Sequence, residues 1–171
     1  MHELKRLAYL DAMGVDAFIS RAQLPGAAPT RRFLTRLRDR DLHLEIHLEG
    51  PRLAPVLPAL ADQGVKLVID HFGLPSDPDP RSDPMIRAVA DLHDRSALYF
   101  KFAAHYRTSF DVTPHAGELF SLLRDNHVVW GSDWPHTQHE HRTGYADVWS
   151  RAADWRDLSD GTAARRLYDI G

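Results

Sequence analysis

Apolar and polar positions along this chain fall into blocks that alternate between a helical period and a strand period. Leu4, Leu7, Ala8 and Leu10 share one face of a helix over residues 4–13, which Gly14 ends. Val15 to Ser20 reads as a short strand. The Pro25-Gly26 pair and Pro29 make residues 21–29 a loop. Phe33, Leu34 and Leu37 recur at helical spacing, in a helix that Thr30 is placed to cap. Leu42 to Leu48 is a second strand, residues 53–63 a crossover helix closed by Gly64, and Lys66 to Asp70 a third strand. Residues 73–84 carry Pro75, Pro78, Pro80 and Pro84 and read as a loop. Met85, Ile86, Val89 and Leu92 then define the inner face of a helix over 84–94. Ala97 to Ala104 is a fourth strand. Thr113-Pro114 opens a helix through Leu123, with threonine as cap and proline in the first turn. Val128 to Gly131 is a fifth strand, and residues 158–170 form an amphipathic helix using Ala163, Leu167 and Ile170.

Five helix-then-strand units of crossover length predict an α/β fold with a parallel sheet and helices outside it. Periodicity leaves two architectures open, a small open sheet or the last five strands of an eight-stranded β/α barrel. With 171 residues the chain is short of the roughly 250 of a complete barrel.

Composition narrows the chemistry. A net charge of −3 gives no basic field for nucleic acid. The absence of cysteine excludes disulfides, thiolate nucleophiles and thiolate metal sites, so any metal needs histidine and carboxylate ligands. No run reaches the roughly 18–20 apolar residues of a membrane span. The first six residues have no apolar core of a signal peptide, which makes the cytoplasm the default expectation. Histidine is in excess at 11 residues. His2, His93, His115, His139 and His141 read as ordinary surface residues.

The chemistry concentrates at strand ends. His47 ends the second strand, Asp70-His71-Phe72-Gly73 closes the third, His105-Tyr106-Arg107 follows the fourth, and Ser132-Asp133-Trp134-Pro135-His136 the fifth. In a parallel α/β fold such ends face one mouth. Asp133 suits a general base toward water or a metal ligand, against a plain turn-forming aspartate. His71 suits a neutral imidazole that polarises a carbonyl or binds metal, against a histidine bonded to backbone. Asp70 either orients His71 or merely ends the strand. Arg107 and Arg21 can clamp carboxylates, and Tyr106 can donate one hydrogen bond. His43 and His47, four apart, share one strand face. Lys101, between Phe100 and Phe102, should point away from both, toward a lumen or an edge. Asp77, Asp79, Arg81 and Asp83 suit a plain solvated loop better than a lid.

Several segments together resemble the amidohydrolase-related (amidohydrolase 2) family, nearest its 2-pyrone-4,6-dicarboxylate lactonase-like branch. They are Leu10 to Ala17, Val68 to Gly73, Phe100-Lys101-Phe102 with Tyr106-Arg107-Thr108-Ser109, Trp130 to His136, and Ala163 to Tyr168. The resemblance implies a TIM-barrel-like hydrolase fold, N-terminally truncated, with about strands four to eight of the barrel in one domain over residues 1–171. It implies correspondence to a C-terminal part only, since the family's first-strand His-x-His pair is absent. It implies hydrolysis of a small carboxylated lactone or ester, with Asp133, His71 and His136 catalytic and Arg21, Tyr106, Arg107 and His47 holding substrate. The alternative is a non-catalytic barrel remnant serving as a structural or binding subunit. No metal is favoured. If one is held, a single divalent ion such as zinc would take His47, His71 and Asp133. Expected partners are a small-molecule substrate and either a chain supplying further barrel strands or a second copy, with no nucleic acid and no membrane.

Overall fold

Four short strands, β1 (His43–Ile46), β2 (Lys66–Ile69), β3 (Leu98–Phe102) and β4 (Val128–Trp130), form one parallel sheet in the order β1-β2-β3-β4. The computed structural model describes residues 28–123, 127–159 and 161–169. The helix predicted over 4–13, the strand over 15–20 and Arg21 lie outside the described residues. Register runs His43 to Lys66, Leu67 to Leu98 and Phe100 to Val128, all parallel. This is the architecture of part of a TIM-like barrel, as expected.

Side chains alternate across the sheet. Leu67, Ile69, Phe100, Phe102 and Val128 face the helices and build the main core. That layer contains α1 (Ala28–Asp39), α2 (Gly50–Leu53), α3 (Leu57–Ala61), α4 (Pro84–Asp91) and α5 (Thr113–Leu123). The crossover helix predicted over 53–63 is two pieces, α2 and α3, each with proline in its first turn. Val68, Tyr99 and Val129 face the other way and are covered by Ala163 and Leu167 of α8 (Thr162–Tyr168). Between β4 and α8 lie α6 (Tyr145–Arg151) and α7 (Ala153–Arg156), which the sequence pattern did not reveal. Trp155 of α7 is buried edge-on against Phe72.

Two cap assignments are corrected. Helix α1 begins at Ala28, so Thr30 lies inside it. Helix α5 is opened by Asp111, whose Oδ1 accepts from the Thr113 N–H and hydroxyl. Among the described residues no helix is long and apolar enough to cross a membrane.

The proline-rich loop is anchored rather than freely solvated. Asp83 is fully buried and caps α4 through the amides of Met85 and Ile86. Its other oxygen accepts from the amides of Ser76 and Asp77. His115, expected at the surface, is buried, with Nε2 2.9 Å from the Asp77 carbonyl. Gly73 starts the loop at φ +80°, and a Cβ there would sit 3.0 Å from Met85 and 3.1 Å from Phe100. Only glycine fits.

Candidate active site

Parallel strands send all their C-terminal ends to one side, and the residues that follow them meet there. His47 follows β1, Asp70 and His71 follow β2, Tyr106 and Arg107 follow β3, and Asp133 follows β4. Asp70, His71, Arg107 and Asp133 line an open cleft of about 620 Å³, together with His47 and Lys101. The backbone here is left-handed at several non-glycine residues: His71 (φ 55°), Phe72 (φ 56°), Ala104 (φ 53°), Asp133 (φ 57°) and His136 (φ 62°). Such conformations cost about 1–3 kcal/mol each and persist where packing enforces them. Phe72 provides that packing, stacked on Phe102 at 4.8 Å.

Asp133 is gripped on one oxygen. Its Oδ2 accepts from the Tyr106 hydroxyl at 2.6 Å and from Arg107 Nε and Nη2 at 3.1 and 2.9 Å. Its Oδ1 faces His71 Nε2 at 3.9 Å. Burial pushes the Asp133 carboxyl up, but the Tyr106 hydrogen bond, His71 and Arg107 outweigh it and hold it below the usual range. Burial and the hydrogen bond to Asp133 push the Tyr106 phenol up.

The Tyr106 oxygen also lies 3.2 Å from His136 Nδ1. Its proton already goes to Asp133, so His136 Nδ1 must be the donor. His136 is buried behind Tyr106 and is not among the residues lining the cleft. His139, expected at the surface, is half-buried, with its ring 5.1 Å from that of Tyr106.

Sequence reasoning missed a tighter grouping. His47, Asp70 and His71 each offer a ligand atom, and those atoms lie within 4.8 Å of one another. His47 meets His71 edge-on at 4.7 Å between ring centroids. His71 Nδ1 and Asp70 Oδ1 are buried without a hydrogen-bond partner. Asp133, named in the expected ligand set, stands outside this grouping; Asp70 is its third member. In a regular strand Asp70 and His71 would point to opposite faces. The left-handed turn at His71 breaks that alternation, so both reach the same place.

Burial pushes the His71 imidazole down to about 4, with His47 and Arg107 adding to the effect and Asp133 opposing it. It is therefore neutral near pH 7, as a metal ligand must be. Burial, then the Asp133 charge, pushes the Asp70 carboxyl up to about 6, against Arg107. It is still mostly ionised at pH 7.

Lys101 enters the cleft from β3. Its Nζ is 3.0 Å from Asp70 Oδ1, an ion pair without the directional geometry of a hydrogen bond, and it also pairs with the Glu45 carboxylate. Burial holds the Lys101 ammonium below its usual range, with Asp133 opposing. Glu45 drew no notice in the sequence. The signal was there: His43, Glu45 and His47 alternate on one face, the face of Lys101.

Known proteins bear on this site. The amidohydrolase family pattern matches residues 3–170. D-galactarolactone isomerase of Agrobacterium fabrum is 31% identical over 133 residues, which are 72% of this chain and 46% of that protein. The chain thus spans about half the length of this curated relative. A solved Pseudomonas putida protein described as a 2-pyrone-4,6-dicarboxylic acid hydrolase superposes with a TM-score of 0.68 at 26% identity, over 84% of this chain and 57% of its own. A Burkholderia multivorans amidohydrolase, solved with bound zinc, superposes with a TM-score of 0.69 at 19% identity, over 92% and 62%.

These findings correct two expectations. The histidine–aspartate grouping overturns the expectation that no metal is favoured. The match is also not confined to a C-terminal part: it runs over residues 3–170, nearly the whole chain. With residues 3–170 matched, this chain belongs to the amidohydrolase family.

Proposed function

We propose that this chain carries a metal-dependent hydrolytic site for small carboxylated lactones or esters. The observation that carries the reading is the grouping of His47, Asp70 and His71 beside Asp133 in one open cleft. A buried His71 Nδ1 and Asp70 Oδ1 that lack hydrogen-bond partners, and a neutral His71, fit a divalent ion such as zinc. When bound, such an ion polarises a carbonyl and lowers the pKa of water.

The chain's own residues supply the rest. Asp133 remains ionised because Tyr106 and Arg107 saturate its Oδ2, which leaves Oδ1 to accept a proton from an attacking water. Tyr106 fixes the plane of that carboxylate, and His136 backs Tyr106 from behind. Arg107 reaches the cleft from the carboxylate it holds and provides positive charge for an anionic substrate, and His47 is the exposed flank of the same site. Arg21 completes the substrate-binding set in this proposal from outside the described residues. The lactone class is supported by the names of both the isomerase and the hydrolase relatives. The test is a panel of carboxylated lactones with zinc-loaded protein, followed for proton release and by NMR. Asp133→Asn should lower ring opening at least a hundredfold with an unchanged circular dichroism spectrum. Unchanged turnover in that variant would remove Asp133 from the mechanism. Isomerised product without net acid release would replace hydrolysis by lactone isomerisation.

A second reading is that of a structural or binding subunit, and the edges of the described sheet favour it. The described sheet has four strands, and β1 and β4 are its edges. Exposed strand edges are pairing sites. On this reading the chain is a structural or binding subunit whose edges are covered by strands from a partner chain or a second copy. Sedimentation of the purified chain tests it: a monomer at all concentrations, with full lactone turnover, would exclude it.

A further inference from the structure

We propose that Lys101 is a resident cation which competes with a divalent ion for Asp70, and that Glu45 alone keeps its ammonium when the ion binds. The inference rests on the metal reading above and concerns how tightly that site binds. Lys101 lies on the inner face of β3, and its Nζ stands 3.0 Å from Asp70 Oδ1. That oxygen is buried and has no hydrogen-bond partner. An ion held by His47, Asp70 and His71 would use the same carboxylate as the ammonium.

Two cations on one largely buried carboxylate repel strongly. The lysine must give way, and the structure shows where it goes. Glu45 on β1 already pairs with the same Nζ. It lies nearer solvent, with 43% of its side chain exposed against 13% for Asp70. Glu45 and Lys101 flank Asp70 from the strands on either side of β2, so a small swing of the lysine arm away from Asp70 leaves it on Glu45 alone. Gly131 faces that arm without a side chain, and a Cβ there would touch Lys101 Cδ at 3.5 Å. Metal-free protein then keeps its cleft charge-balanced, and metal-loaded protein keeps its lysine paired.

The experiment is equilibrium dialysis of the chelator-stripped full chain against Co²⁺, for the parent protein, Lys101→Met and Glu45→Gln. Lys101→Met should bind Co²⁺ roughly ten- to a hundredfold more tightly, because the competing charge is gone. Glu45→Gln should bind roughly three- to tenfold more weakly, because the displaced ammonium loses its acceptor. Damage to the fold would weaken both, so opposite signs separate the proposal from a structural effect. Binding by Lys101→Met where the parent shows none also supports it. Equal affinity in the parent and Lys101→Met overturns the competition and leaves the metal reading standing. No Co²⁺ bound by either at millimolar concentration overturns both. Should Lys101→Met fail to fold, Glu45→Gln decides: unchanged or tighter binding there overturns the proposal.

Discussion

Asp83 has no solvent exposure, yet it carries a charge-bearing side chain. It is tolerated because four backbone amides point at it, two from α4 and two from the proline-rich loop. Asp83→Ala leaves those amides without an acceptor. A lost helix cap costs about 0.5–2 kcal/mol and a buried unsatisfied donor about 1–3. Urea unfolding should therefore show about 2–4 kcal/mol of destabilisation. A loss under 0.5 kcal/mol would mean that water replaces the carboxylate. The sequence pattern gave no hint of this role, since an aspartate before a proline reads equally as a cap or a loop residue. His115 was misplaced for a related reason: the surface it covers is made by a loop whose path the pattern does not specify.

At the scale of elements, α8 is the one to weigh, because it lies on the sheet face opposite the other main helices. Its Ala163 and Leu167 cover Val68, Tyr99 and Val129. Leu167→Ala removes the larger of the two contacts and should cost about 2–4 kcal/mol by urea unfolding. A cost near zero would show that α8 rests on the sheet without holding it. The tip of α8 also touches β1, where Tyr168 meets His43 edge-on at 5.3 Å.

That histidine and His105, which follows β3, set a pH dependence. Burial lowers the His43 pKa, with Lys101 and Lys66 adding to it. Burial likewise lowers that of His105, with Arg151 adding and Asp111 opposing. The unfolded chain then binds protons which the folded chain refuses. The contribution of these two groups should be flat above the ordinary histidine value of 6.5 and fall as the pH drops through it, levelling off below the folded values. Urea midpoints between pH 8 and pH 5 measure this. A rise on acidification would reverse the assigned directions. Replacing both histidines with glutamine should reduce the slope and leave the part set by His71 and, with opposite sign, Asp70.

For the whole molecule, the metal reading predicts a linkage effect. An ion that binds only the folded chain adds about 2.7 kcal/mol at a hundred times its dissociation constant. Zinc should raise the melting temperature, chelator should reverse the rise, and Asp70→Asn should remove it. A melting temperature unmoved by zinc in both the parent protein and Lys101→Met would refute a folded-state metal site at His47, Asp70 and His71.

Sequence alone determined the four described strands, their parallel sense and the end of the sheet where polar residues collect. These follow from local periods and from the short reach of crossover connections, both of which are written in consecutive residues. The strands observed at 43–46, 66–69, 98–102 and 128–130 fall inside the predicted spans. Sequence also named His47, His71, Tyr106, Arg107 and Asp133 as strand-end residues. What only the tertiary structure decided was which of them meet. The left-handed turn at His71 put Asp70 beside it, Tyr106 and Arg107 captured one oxygen of Asp133, and Lys101 and Glu45 joined across β2. Those are contacts between residues up to 56 positions apart. They depend on backbone angles and strand register that no local pattern encodes, so the metal grouping and the lysine beside it became visible only once the chain was folded.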